Sequence, residues 1–263
     1  MTTFLSLALI TAVGIVLALL ERHFPCTPGQ RVLRGGFWGD LVGYGIVQSY
    51  LLGLVITAII GWLDAHTGAA HLHIVSAWPV VLQVAFFVVT HDLYIYWFHR
   101  LQHRSPLLWR IHEAHHSTLD VDWLSGARSH ALEILINQTI EFAPIFLLGA
   151  APEVALWKGL LSAAWGMYIH SNLNVRTGPL QYVFNGPEMH RWHHSADEAD
   201  GGYNYSTKLA IWDWLFGTAR RPADKPRAYG LAGMAFPGGF LAQQLFAFRR
   251  RERHPGVTES EQT

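Results

Sequence analysis

Residues 91–116, HDLYIYWFHRLQHRSPLLWRIHEAHH, decide how this chain is read. The stretch runs off the end of an apolar segment and delivers His99, His103, His112, His115 and His116 within 18 residues. Residues three or four apart share one face of a helix. His99 and His103 form such a pair, and so do the outer members of HEAHH. Further out, a second apolar stretch ends in His170, and HRWHH then brings His190, His193 and His194. Nine imidazoles on four short segments can converge on one place, which surface chemistry rarely needs and a metal site does. Neutral imidazole is the commonest metal ligand. An HxxHH segment presents one ring at i and two more at i+3 and i+4, so it can serve two adjacent ions. Nine rings are too many for one ion and suit two, with four or five nitrogens each. Imidazole alone accepts zinc, copper, iron or nickel, so ligand type leaves the metal open.

Asp92 lies seven residues before His99 and eleven before His103. Both spacings are close to whole helical turns, so the three line one stripe with Asp92 deeper in the apolar segment. A carboxylate there is costly and usually functional. Its expected role is to fix the tautomer and orientation of a ligand imidazole from behind.

The surroundings are those of a membrane protein. Of 263 residues 51% are hydrophobic and 14% charged, against about 25% charged in ordinary soluble domains. The formal net charge is zero, so no bulk basicity points to nucleic acid. Cys26 is the single cysteine, which excludes an internal disulfide and a cysteine-held zinc or iron–sulfur site within one chain. Five apolar segments are read as membrane helices: 4–20, 41–63, 78–98, 131–150 and 152–170. The first lacks a basic leader and a small-residue cleavage site, so it is expected to be retained. Pro152 suits the first turn of its helix. The 64–77 loop and the 149–153 turn carry no Lys or Arg, and every basic residue except Lys158 falls on the other side. By the positive-inside tendency that side is cytoplasmic, and all nine clustered histidines share it. The expected fold is an all-α, polytopic membrane bundle of about five apolar helices under a cytosolic histidine-rich cap. Residues 1–84 supply N-terminal membrane helices, 85–220 the catalytic domain, and 221–263 an amphipathic, basic tail. Within that tail 236–250 reads as a short amphipathic helix, followed by an RRRER run suited to anionic headgroups.

The stretch from about 85 to 220 resembles the fatty acid hydroxylase/sterol desaturase superfamily of membrane di-iron oxygenases. Asp92, Tyr96, Trp97, His99, Arg100 and His103 match its first box, and His112, His115, His116 and Ser117 its HxxHHS box. Arg128, His130, Ala131, Leu132 and Glu133 follow as an R-x-H-P-L-E element with Ala in place of Pro. His170 with Asn172 matches the isolated histidine, and His190, Arg191, His193, His194 and Ser195 the HRxHHS box. Trp212, Asp213, Phe216, Gly217 and Thr218 match a W-D-x-x-F-G-T ending. The resemblance implies two iron ions on the nine histidines, with zinc a product of misloading, and Asn172, Asn174 or His130 as a possible further ligand. It also implies O2 as co-substrate and a lipid substrate, sterol, fatty acyl or related, brought from the bilayer to be hydroxylated or desaturated. The chain has no cysteine set for an iron–sulfur centre and no GxGxxG fingerprint. A separate ferredoxin or cytochrome, with its reductase, is therefore expected to supply electrons.

Two other readings compete. His112-Glu113-Ala114-His115-His116 also fits HExxH, in which His112 and His116 bind zinc and Glu113 is the general base of a metalloprotease. That reading leaves most of the clustered histidines without a purpose. A metal transporter would place its ligands near the bilayer midplane, whereas these sit at helix ends and in cytosolic segments.

Overall fold

The computed structural model describes residues 2–196 and 202–249. Helix α1 spans Thr2–His23. A helix that opens with π-helical turns at Gly39–Gln48 continues as α2, Ser49–Thr67. Helix α3 covers Val80–Arg104, and α4, Pro106–His116, follows it at once. The break is local chemistry. Ser105 is extended and its hydroxyl accepts from the Leu108 amide, while Pro106 takes the first helical position, where a missing N–H costs nothing. Helix α5 is Ala131–Leu147 and α6 is Pro152–His170. Three short helices complete the described chain: α7, Pro187–His193, α8, Ile211–Leu215, and α9, Phe240–Phe246. Among the described residues there is no strand, only two isolated bridges.

The α5/α6 hairpin is the inner element. Helix α1 packs along α6, α2 along α5, and α3 against both. At the end of the hairpin far from the histidines, Phe87, Ile145, Val154 and Val75 form an apolar cluster. Ile56, Ile60 and Ala143 form another between α2 and α5. The outer faces of α1, α2 and α3 remain apolar and exposed, with Leu7, Ile15, Leu54, Trp62 and Val81 among them. Such a coat suits lipid rather than water.

Hydropathy counted five membrane helices, and the structure differs in detail. Helices form in all five places, but among the described residues three are long and apolar enough to cross a membrane: Leu5–His23, Gly39–Thr67 and Val80–Arg104. Helix α5, at 17 residues, is about 25 Å long, short of the ~30 Å hydrocarbon core. It and α6 also bury Glu133, Glu141 and Lys158. A window average does not register three charges spread over two helices.

The tail helix is present over a shorter span than 236–250 and is amphipathic. Gln243 and Gln244 of α9 turn inward, to Tyr44, Pro237, Gln48 and Ala131. Leu241 and Leu245 are exposed. The run beyond Arg249 lies outside the described residues.

Candidate metal centre

The ends of four helices meet at one place. The last turns of α3 supply His99 and His103, α4 supplies His112, His115 and His116, the end of α6 supplies His170, and α7 with its C-cap supplies His190, His193 and His194. They sort into two groups. His99, His103, His112, His116 and His193 form one, and His115, His170, His190 and His194 the other. Within each, one nitrogen per ring lies within 4.8 Å of all the others. The sorting follows helical geometry. In HEAHH the i and i+4 rings, His112 and His116, enter the first group and His115 crosses to the second. In HRWHH the i and i+4 rings, His190 and His194, enter the second and His193 crosses to the first. Each box thus serves both groups, and the groups are neighbours: the rings of His116 and His194 are 4.6 Å apart, and those of His112 and His115 5.2 Å.

The hydrogen bonds behind the rings set their tautomers. Nδ1 of His99 faces the Tyr205 carbonyl at 2.7 Å, that of His115 the Arg128 carbonyl at 3.1 Å, that of His170 the Gly166 carbonyl at 2.7 Å and that of His193 the Tyr203 carbonyl at 2.9 Å. A carbonyl only accepts, so in each ring Nδ1 carries the proton and Nε2 presents a lone pair. His112 does the same through Glu133 Oε1, 2.9 Å from its Nδ1. Nε2 of His99 nevertheless lies 2.9 Å from Nε2 of His112, and Nε2 of His115 lies 3.2 Å from Nε2 of His170. Lone pairs facing each other at such distances repel unless a cation stands between them. Nε2 of His103 and of His193 is buried with no hydrogen-bond partner. Two groups of convergent, neutral nitrogen donors fit two metal ions.

Burial, followed by the neighbouring rings, holds His115, His116, His190, His193 and His194 well below the ordinary imidazole pKa. They are therefore neutral, as ligands must be. The unfolded chain takes up protons below about pH 6.5 that the folded, metal-free chain does not. Metal-free protein should accordingly lose stability as pH falls from 7 to 5. A thermal-melt series in detergent tests this, and a melting temperature flat over that range would contradict it.

Other residues hold this arrangement in place. Asp213 accepts from the Tyr205 and Ser206 amides and from the Thr218 hydroxyl, which aims the Tyr205 carbonyl at His99. A Cβ on Gly126 would lie 2.6 Å from His170 Nδ1, so glycine is needed for that ring to seat. Gly126→Ala should displace His170 and reduce activity on the order of 10–100-fold, the range for a disturbed ligand orientation. Unchanged activity and metal content would show that the ring has room to move.

Several sequence expectations fall elsewhere. Asp92 is buried but touches no imidazole. It accepts from the Thr207 hydroxyl, the Lys208 and Leu209 amides and the Trp212 indole, and so pins the 207–212 segment to α3. The stripe geometry held, but these partners lie more than a hundred residues away and no spacing reveals them. The carboxylate behind one of the clustered rings, His112, is Glu133, which the motif contained without a role. His130 caps α5, its Nδ1 accepting from the Leu132 amide, and its Nε2 meets the Gln244 carbonyl. Asn172 bonds both ways to the Thr27 backbone. Asn174 is exposed and lines a surface cleft with Cys26. His130 joins neither histidine group.

The fatty acid hydroxylase family model matches residues 84–218, which include every one of these histidines. The chain belongs to that family. An ornithine lipid hydroxylase of Rhizobium tropici is 33% identical over 246 residues, covering 90% of this chain and 74% of the relative. A human alkylglycerol monooxygenase is 34% identical over 142 residues, 53% of this chain and 31% of the relative. A rice very-long-chain aldehyde decarbonylase is 33% identical over 146 residues, 54% of this chain and 53% of the relative. No solved structure matches.

In this fatty acid hydroxylase-family chain Glu113 does not serve as the base of a metalloprotease. Both its oxygens pair with the Arg249 guanidinium, at 2.7 and 2.9 Å. Glu113→Gln should therefore leave turnover within about threefold while loosening the C-terminal helix, because it takes the charge off a buried carboxylate and leaves the partly exposed Arg249 without its partner. Complete loss of activity with α9 still docked would restore Glu113 to the chemistry. A cavity of about 300 Å³ reaches from the histidines of both groups back between α3, α5 and α6. A second, of about 340 Å³, borders His103, His116 and His193.

Proposed function

We propose that this chain is a membrane-bound oxygenase that uses dioxygen to hydroxylate or desaturate a lipid, with two iron ions held by the nine histidines. The observation that carries the reading is the pairing of inward lone pairs in two adjacent groups beside a cavity open between membrane helices. Its relatives' names, lipid hydroxylase and monooxygenase, give the reaction class. Two irons bound there would supply reduction of dioxygen and oxidation of a substrate C–H bond. The protein's own residues perform the rest. The Tyr205, Arg128, Gly166 and Tyr203 carbonyls and Glu133 keep Nε2 unprotonated and aimed inward. Helices α3, α5 and α6 wall the substrate off from bulk water, which a strongly oxidising centre requires.

The electrons come from a separate ferredoxin or cytochrome with its reductase. The Arg- and Lys-bearing side is cytoplasmic, with the N-terminus outside. That sidedness is the same whether five helices cross or three cross and α5/α6 dips in and returns. Nitrogen donors also accept zinc, so metal identity depends on the expression host.

The test is metal analysis and oxygen consumption on protein purified from iron-supplemented cells, followed by lipid mass spectrometry under isotopic dioxygen. Two ions per chain with lipid-dependent oxygen uptake is the expected result. A chain that releases metal freely and consumes no oxygen with any lipid overturns the proposal in favour of transport.

A further inference from the structure

The far end of the cavity between α3, α5 and α6 is not the hydrocarbon-lined slot that an acyl or sterol chain would call for. His91, Glu141, Ser162 and Lys208 all line it, together with Asn137. Lys158, fully buried, donates to Glu141 Oε1, to His91 Nδ1 at 3.0 Å and to Ser162 Oγ at 3.3 Å, and Ser162 donates to Glu141 at 2.6 Å. An ammonium only donates, so His91 Nδ1 holds a lone pair and its proton is on Nε2. That nitrogen is buried and has no partner. Ions within apolar helices are costly and do not persist as packing alone.

The position of this node is the same on three helices. His91 stands eight residues before His99 on α3, Ser162 eight before His170 on α6, and Glu141 eight after Glu133 on the oppositely running α5. At 1.5 Å per residue each interval is about 12 Å. The cavity therefore has a metal-binding end and a hydrogen-bonding end, set a fixed distance apart by three helices.

We propose that the node of His91, Glu141, Lys158 and Ser162 is a second binding subsite, which takes a polar group of the lipid and places the carbon to be oxidised about 12 Å away at the histidines. The substrate class is thus a polar lipid whose head group both donates and accepts hydrogen bonds. Plain hydrocarbon would leave the His91 Nε2–H without an acceptor. This inference rests on the oxygenase reading for what happens at the other end.

Two matched probes in lipid nanodiscs test it: N-palmitoylglycine, which has an amide and a carboxylate, and hexadecane, which has neither. Equilibrium binding is measured by displacement without reductant, so no turnover occurs, and metal content is measured alongside. The wild-type protein should prefer N-palmitoylglycine at least about tenfold. Ser162→Ala, and the charge-neutral pair Glu141→Gln with Lys158→Gln, should bring the ratio towards one while both metals are retained. Ser162→Ala removes one hydroxyl and keeps the ion pair, so it remains informative if the double variant does not fold. A wild type without preference, or variants that keep both the metals and the preference, would overturn the subsite. If the preference behaves as stated but reduced protein consumes no oxygen, the oxygenase reading falls and the binding site stands.

Discussion

His193→Ala should empty one metal position and stop turnover while the protein still inserts and folds. His193 is fully buried, its Nδ1 is held by the Tyr203 carbonyl, and its Nε2 points to no hydrogen-bond partner. It belongs to the five-ring group, whereas its neighbours in the box, His190 and His194, belong to the other. Alanine therefore removes one nitrogen from the first group and none from the second. Loss of a group that merely orients a ligand costs about 10–100-fold in metal affinity or activity, and loss of the ligand should exceed that. Metal analysis should fall from two ions per chain towards one. His103→Ala acts on the same group and His115→Ala on the other, so the three variants together separate the positions. Full metal content and full turnover in His193→Ala would rule out shared ligation.

The second large effect concerns stability. Asp40 sits at the entrance of the helix that becomes α2, buried between two guanidiniums. It accepts from Arg128 Nε at 2.7 Å and Nη2 at 2.9 Å, and its Oδ2 lies 2.8 Å from Arg34 Nη1. Arg34 also makes a two-pronged pair with Asp122, 2.8 Å at each contact. Asp40→Ala would leave Arg128 buried without its carboxylate and give Arg34 only one. Breaking a buried pair from one side costs on the order of 3–5 kcal/mol. Because the Arg128 carbonyl holds His115, metal retention should weaken together with the melting temperature. Asp40→Asn keeps the shape but removes the charge and replaces one accepting oxygen with an NH2 donor, and should fall between. A melting temperature within a degree of wild type for Asp40→Ala would show that the cluster is dispensable.

What the sequence made legible follows from how local each signal is. Period and spacing reach one helix, and so the helices at α1, α2, α3, α5 and α6 and the nine histidines were readable, as was the capacity of each HxxHH to face two ions. The rest depends on contacts between distant segments. Asp92 and Glu133 are alike as letters, each a carboxylate in an apolar helix, yet one anchors the α8 segment and the other holds a ligand ring. Only the fold decides between them. Hydropathy averages also passed over Glu141 and Lys158, whose charges meet across a hairpin and change what the cavity can bind. The docking of α9 escaped for the same reason: Gln244 finds partners on α5 and at Gln48, far earlier in the chain.

The order of the histidines along the chain has a consequence for biogenesis. The five-ring group is incomplete until His193 has been made, well after α1, α2 and α3. The four-ring group waits for His194. In the two-ion reading proposed above, both groups are therefore completed by α7, the last of the three box-bearing segments to be made.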